Sequence, residues 1–284
     1  MNHRTGAALA ALGLALALPA CGSDDEESSG GGSSGGSTPA AFEVTVTEAG
    51  KDRSTVKAPK TVEAGLVEVS VQNNGKGPHD AQIIGVDGDR TAEDVKKVID
   101  TEGGPLPAWL HGGGGVGTVA PGQSASATDL LEPGRYFVID TDGGGSAEFE
   151  VTGEASDAQL PSTDATITAN EYGFETTGLK TGKNEVTFEN AGKELHHALA
   201  VPYAKGATLA QVRKFATSDE EPSGPPPVDF ENAVGTTVLD GGRSQVTELE
   251  FKKKGKYALV CFIQDRKGGP PHVAKGMIAE VEVQ

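Results

Sequence analysis

Apolar and polar side chains alternate in short runs along most of the chain. Phe42, Val44 and Val46 share one side of an extended segment, with Glu43, Thr45 and Thr47 on the other. Val67, Val69 and Val71 likewise oppose Glu68, Ser70 and Gln72. A period of two predicts strands that bury one face and wet the other. Turns rich in Gly and Asn punctuate the runs. The expectation is antiparallel sheets, with two dry faces closed together as a β-sandwich. Two stretches, 91–99 and 208–215, have helical spacing instead. Thr91 precedes Glu93 and Asp94 and reads as an N-cap.

These elements come twice in one order. Val67-Glu68-Val69-Ser70-Val71 runs into an Asn73-Asn74-Gly75 turn, and Glu185-Val186-Thr187-Phe188 runs into Asn190-Ala191-Gly192. Each turn leads to a histidine, His79 or His196, then to an apolar strand and a helical stretch. Both copies resume at Val-Gly-Thr (116–118 and 234–236) and close on a Gly-basic-Tyr strand start (134–136 and 255–257). Such ordered correspondence predicts two domains of one topology, over 41–153 and 163–284, joined by a polar segment containing Pro161. The expected fold is all-β: two tandem Greek-key β-sandwiches, each with a short helical insertion and its own core.

The N-terminus follows another rule. Asn2-His3-Arg4 precedes an apolar run over 7–18, shorter than the ~20 residues of a membrane-spanning helix. It reads as a secretory signal over 1–20. Leu18-Pro19-Ala20-Cys21-Gly22 resembles the lipobox of bacterial lipoproteins, which implies lipidation at Cys21. An ordinary cleaved signal with an incidental cysteine is the alternative. Acidic residues at 24–27 and a Gly/Ser run read as a flexible tether over 21–40. The expected location is extracytoplasmic, with the chain lipid-anchored to the bacterial cell membrane.

Charge narrows the partners. Lys plus Arg total 24 against 41 Asp plus Glu, a net charge of −17, which repels nucleic acid and favours a basic protein partner. With Cys21 lipidated, Cys261 is the one remaining thiol. It has no disulfide partner in an oxidising compartment, so it is either buried and inert or committed to chemistry.

The candidate chemistry lies near the C-terminus. The apolar run 257–263 contains Cys261 and reads as a strand buried on both faces. A Gly/Pro loop leads to His272, and Met277 shares the inward parity of Ala279, Val281 and Val283. Singly, each has an ordinary reading: Cys261 and Met277 as core, His272 as a surface histidine, His196 as a loop hydrogen-bonder. Together, an Asn-x-Gly turn, a following His and a C-terminal Cys–loop–His–x4–Met resemble the cupredoxin, or blue type 1 copper, family over 163–284. The resemblance implies a cupredoxin-like fold and one copper, with His196, Cys261 and His272 as equatorial ligands and Met277 as the weak axial one. Thiolate, two imidazoles and a long thioether bond suit copper in both oxidation states.

Two features depart from the small electron carriers of that family. The loop between Cys261 and His272 is long, and His197 adjoins His196 as a competing imidazole. Strand parity puts the two rings on opposite faces, and His196 is the one that aligns with His79. The first copy carries Asp140 where Cys261 falls, and its 141–146 loop lacks His and Met, so it is expected to be a degenerate domain without copper ligands. There His79 reads as a relic held by a loop hydrogen bond, and His111, near Trp109, has no supported ligand role.

No His-x-His pair is present and no His adjoins Cys261, which argues against an oxidase or reductase; Walker, Gly-x-Ser-x-Gly and His-Glu-x-x-His motifs are also lacking. The expectation is a membrane-anchored, non-enzymatic copper protein engaged in single-electron transfer. The alternatives are a copper chaperone or buffer without a redox role, and a non-metal cell-surface sandwich for binding or adhesion.

Overall fold

A computed structural model describes residues 38–50, 53–218 and 224–284. The expected signal over 1–20, Cys21 and the tether as far as residue 37 lie outside the described residues. The first half contains β1 (Ala40–Gly50), β2 (Arg53–Lys57), β3 (Thr61–Glu63), β4 (Gly65–Asn73), β5 (His79–Val86), α1 (Ala92–Ile99), β6 (Leu110–Val119), β7 (Ser124–Leu131), β8 (Gly134–Ile139) and β9 (Ser146–Thr152). The second contains β10 (Ala165–Asn170), β11 (Gly173–Thr177), β12 (Gly182–Asn190), β13 (Leu199–Pro202), α2 (Leu209–Ala216), β14 (Val234–Gly235), β15 (Ser244–Phe251), β16 (Gly255–Val260) and β17 (Ile278–Val283). One-turn 3-10 segments lie at Phe230–Asn232 and His272–Lys275.

The alternation read from sequence is the burial observed. Phe42, Val44, Val46, Val67, Val69 and Val71 all point into one core, facing Ile83, Val138 and Phe149 from the opposite sheet. In the second half Ile167, Val186, Phe188 and Phe251 face Ala200, Tyr257, Leu259 and Val281 in the same way. The fold is therefore all-β, a pair of cupredoxin-like sandwiches. Both helices start at a capping box, Thr91 with Asp94 and Thr208 with Gln211, which satisfies their first backbone N–H groups. Each buries one residue fully, Val95 or Val212.

Strand pairings recur between the halves. β4 pairs antiparallel with β7 as β12 does with β15, and β5–β8–β9 is matched by β13–β16–β17. Tyr136 OH donates to Glu132 O at 2.9 Å and Tyr257 OH to Lys253 O at 2.8 Å, each tying a strand start to the turn before it. Asn73 Nδ2 donates to Val119 O at 2.8 Å, and Asn190 Nδ2 to Leu239 O at 2.9 Å.

Four expectations need correction. The sheets are mixed: β1 runs parallel to β4, and β10 to β12, because side-chain alternation carries no information on the direction of the neighbouring strand. The Val-Gly-Thr triplets are not equivalent. Val119 faces His79 and Leu239 faces His196, so Val116 precedes its reference residue by fewer positions than Val234 does. The apolar run 257–263 is strand only to Val260; Cys261 follows it fully buried, whereas Phe262 is exposed.

Finally, each half keeps its own core, as expected, but more than the connecting segment joins them. β7 pairs antiparallel with β15, giving one eight-stranded sheet in the order β11-β10-β12-β15-β7-β4-β1-β2. Leu195, Val238 and Ile263 of the second half pack with Ile84, Phe137 and Ile139 of the first. Polar groups lock the seam: Gln82 Nε2 donates to Val238 O at 3.1 Å while its Oε1 accepts from Val238 N at 2.7 Å. Asp129 faces Gln245 across the paired strands, fully buried, its Oδ2 accepting from Gly115 N at 2.9 Å and its Oδ1 without a partner among the described residues. Burial pushes the Asp129 carboxyl up to about 8.

Candidate metal centre

Three side chains from distant segments meet at one end of the second sandwich. His196 Nδ1 and His272 Nδ1 lie 3.0 Å apart, and Cys261 Sγ lies 3.8 Å from the first and 3.6 Å from the second. All three residues are completely buried. Among the described residues this is the one group of three or more His, Cys, Asp or Glu donors that closes to within 4.8 Å.

Local chemistry sets each position. At the end of β12 Asn190 Oδ1 accepts from Gly192 N at 3.0 Å, while Asn190 Nδ2 donates to Glu194 O at 2.8 Å, which folds the chain back toward His196. His196 N then donates to Leu239 O at 3.1 Å and Leu239 N to His196 O at 2.9 Å. A Cβ at Gly192 would displace the Glu171 carboxylate and stand 3.1 Å from His196 Nε2. Cys261 sits one residue past β16, and Val273 N donates to Cys261 O at 2.8 Å. His272 opens the 3-10 turn and is buried, not the surface residue that its loop composition suggests. Met277 N donates to His272 O at 2.9 Å. The Met277 side chain is fully buried in the same apolar cluster as Cys261, Tyr257 and Leu259.

Both imidazoles turn Nδ1 inward and Nε2 toward a carboxylate. His272 Nε2 lies 3.1 Å from Asp265 Oδ1, and Asp265 is itself held by Tyr172 OH at 2.8 Å and by Lys275 Nζ. His196 Nε2 lies 3.5 Å from Glu171 Oε1, an ion-pair distance without a hydrogen bond. Sequence reasoning passed over both carboxylates. Asp265 lies in the ligand loop itself, while Glu171 belongs to the Glu171-Tyr172-Gly173-Phe174 segment that the cupredoxin resemblance includes, and its place behind His196 comes only through the fold.

Burial sets the protonation of the donors. It pushes the Cys261 thiol up to about 11 and His196 down to about 4, the latter helped by its neighbour His272. His272 is also lowered by burial, against the opposing pull of Asp265. The neutral imidazoles are therefore ready to ligate, and the thiol needs a metal to release its proton. His197 takes another course: its Nε2 accepts from Phe262 N at 3.0 Å, so that lone pair is already committed.

The donor set fits a first-row metal. A trigonal plane with bonds of about 2.0 Å to nitrogen and about 2.3 Å to sulfur spaces its donors about 3.5–3.7 Å apart. The two sulfur–nitrogen edges match this, and the nitrogen–nitrogen edge is about half an ångström short. Asp265, hydrogen-bonded to His272 Nε2, fixes that ring's tautomer and aim, while Glu171 stands behind His196 at 3.5 Å.

The long ligand loop is pinned to the first half. Leu106 N donates to Arg266 O at 2.9 Å, Gly269 N to Gly103 O at 3.0 Å, and Gln264 Nε2 to Gly104 O at 3.1 Å. Arg266 Nη1 donates to Pro107 O at 3.2 Å and Leu110 O at 3.1 Å, and Arg266 pairs with Asp240. Asp240 in turn lies 3.1 Å from His111 Nδ1, and Asp87 lies 3.1 Å from His111 Nε2, so His111 belongs to this seam.

The corresponding end of the first half is closed differently. His79 Nδ1 lies 2.7 Å from Asp140 Oδ2, both residues buried, with Asp140 one residue past β8 as Cys261 is past β16. Asp140 Oδ2 also accepts from Gly143 N at 3.2 Å, and Oδ1 accepts from Asp80 N at 3.3 Å.

No protein-family model and no curated relative matches the chain. Similar solved structures include a multicopper oxidase, 16% identical over 86% of this chain and 88% of that one, with a TM-score of 0.24. A copper nitrite reductase from Nitrosomonas europaea is 18% identical over 86% of this chain and 94% of that one, at 0.24. Dithionite-reduced auracyanin from Roseiflexus castenholzii is 20% identical over 42% of this chain and 94% of that one, at 0.27. With TM-scores this low, the fold and the site stand on the chain's own pairings and distances.

Proposed function

We propose that this chain is a copper-binding, single-electron carrier held outside the cytoplasmic membrane by a lipid on Cys21. One observation carries the copper reading: two imidazole nitrogens and a thiol sulfur, all buried, converge to within 4.8 Å. His196, Cys261 and His272 would hold one copper ion, with Met277 as the weak fourth donor. Bound there, copper supplies a one-electron couple. The chain's own groups prepare the place: Asp265 aims the His272 ring, Glu171 stands behind His196, and Leu259 with Tyr257 keeps water out. The first half is read as a degenerate copy of the second. It buttresses the ligand loop through Arg266 and Gly269. The absence of His-x-His pairs supports a carrier over an oxidase or reductase, and the net charge of −17 favours a basic partner protein. The anchor and the extracytoplasmic location rest on the sequence at 18–22 and the tether that follows.

Copper(II) added to the full chain is expected to give an intense visible thiolate-to-copper band at one ion per chain, lost in Cys261→Ser. At a thousandfold excess of copper over its dissociation constant, unfolding should become harder by about 4 kcal/mol. With neither band nor stabilisation, the metal reading fails and the non-metal surface sandwich takes its place. Cys21→Ser should move the protein from the membrane fraction to the soluble one.

A further inference from the structure

A cavity of about 320 Å³ lies where the two sandwiches meet, beside the candidate metal centre. Aliphatic side chains from both halves line it, among them Ile84 and Leu110 from the first and Leu195, Leu199 and Ile263 from the second. No Lys or Arg lines it. Its one carboxylate, Asp80, is already bonded at both oxygens, by Thr141 N at 2.6 Å and Thr141 Oγ1 at 2.6 Å. An anionic ligand would find no counter-charge there.

Among its polar groups one is a ring N–H. His197 lines the cavity, and its Nε2 accepts from Phe262 N at 3.0 Å, which places the ring proton on Nδ1. Nδ1 has no hydrogen-bond partner among the described residues. A mostly apolar chamber with a fixed ring N–H donor favours a neutral, mostly apolar molecule carrying a carbonyl acceptor. The volume admits one substituted ring or a fused pair and excludes a peptide.

We propose that this cavity is a binding site for a small neutral quinone whose carbonyl accepts from His197 Nδ1. The binding itself is independent of any metal. Only the choice of a redox-active ring over other neutral carbonyl compounds rests on the copper reading, because the same imidazole bonds Phe262, the residue after Cys261.

The test is calorimetric titration of the metal-free full chain with duroquinone, whose fully methylated ring cannot alkylate a thiol. One molecule per chain is expected, with a dissociation constant on the order of 10–100 µM for so small a ligand. His197→Phe should weaken it roughly tenfold by removing the donor. Leu199→Trp and, from the other half, Leu106→Trp should each fill the chamber and abolish binding. Far-UV circular dichroism and a cooperative melt identify the variant that remains folded. The proposal is overturned if the wild-type chain binds no duroquinone, if a folded Trp variant binds as well as wild type, or if durene, the same ring without carbonyls, binds equally tightly. A missing copper band with duroquinone binding intact would remove the copper reading and leave the cavity a carbonyl-compound site.

Discussion

The two ends at His79 and His196 are built on the same frame and closed by different chemistry. Each has an Asn side chain holding the turn before the histidine, a Tyr hydroxyl tying down the next strand start, and a buried residue just past that strand. In the first half that residue is Asp140, whose Oδ2 lies 2.7 Å from His79 Nδ1 and fills the position by itself. In the second it is Cys261, and the long loop delivers His272 to make a three-donor set of one thiol and two imidazoles, with no carboxylate inside it. One frame thus supports a closed His–Asp pair or an open donor cluster, depending on one residue and on loop length. The closed half then serves the open one by holding its loop through backbone and Arg266 contacts.

Breaking the closed end should have the largest effect. Asp140→Ala leaves His79 buried without its hydrogen-bond partner, and urea denaturation should show a loss of about 2–3 kcal/mol. Cys261→Ala in the metal-free chain removes one small buried group and should cost about 1 kcal/mol. Equal losses at the two ends would mean that the His79–Asp140 contact does not take the place of a metal. Within the open end, Asp265→Asn removes the carboxylate behind His272 and should weaken copper binding about 10–100-fold in competition titrations. Glu171→Gln should fall at the lower end of that range, because Glu171 stands 3.5 Å from its imidazole.

The seam between the halves has its own pH signature. The folded chain holds the Asp129 proton up to about 8, well above the 3.8 of a free carboxyl. Stability is therefore greatest below the unfolded value and declines as pH rises from about 4 toward 8. Asp129→Asn should flatten that decline, so its advantage over wild type in urea midpoint should widen with pH. An unchanged profile would show that the buried carboxyl is compensated by groups other than Gly115. The smallest effects belong to the shared frame: Tyr136→Phe and Tyr257→Phe should each cost about 0.5–1.5 kcal/mol and differ little from one another.

Much of this was legible from the chain. Alternation at 42–47 and 67–72 located strands and their buried faces, and Thr91 announced a helix start that the capping box bears out. The spacing of Cys261, His272 and Met277, with a histidine after an Asn-x-Gly turn, singled out residues of which three converge. The partner direction of β1 was not legible, because parallel and antiparallel neighbours demand the same alternation. The burial of His272 was hidden by a loop composition that usually means surface. Glu171 and the seam at Asp129 were hidden because their partners lie far away in sequence.

The sequence by itself determined the period of each strand, the starts of the helices and the kinds of donor atom the chain can offer. These follow from backbone geometry and from side chains a few residues apart. The tertiary structure alone decided that β7 would join β15, that the ligand loop would lie on the first half, and that a chamber would remain beside His197. Such pairings depend on how well distant surfaces fill space and satisfy each other's buried polar groups, and no local pattern encodes that fit.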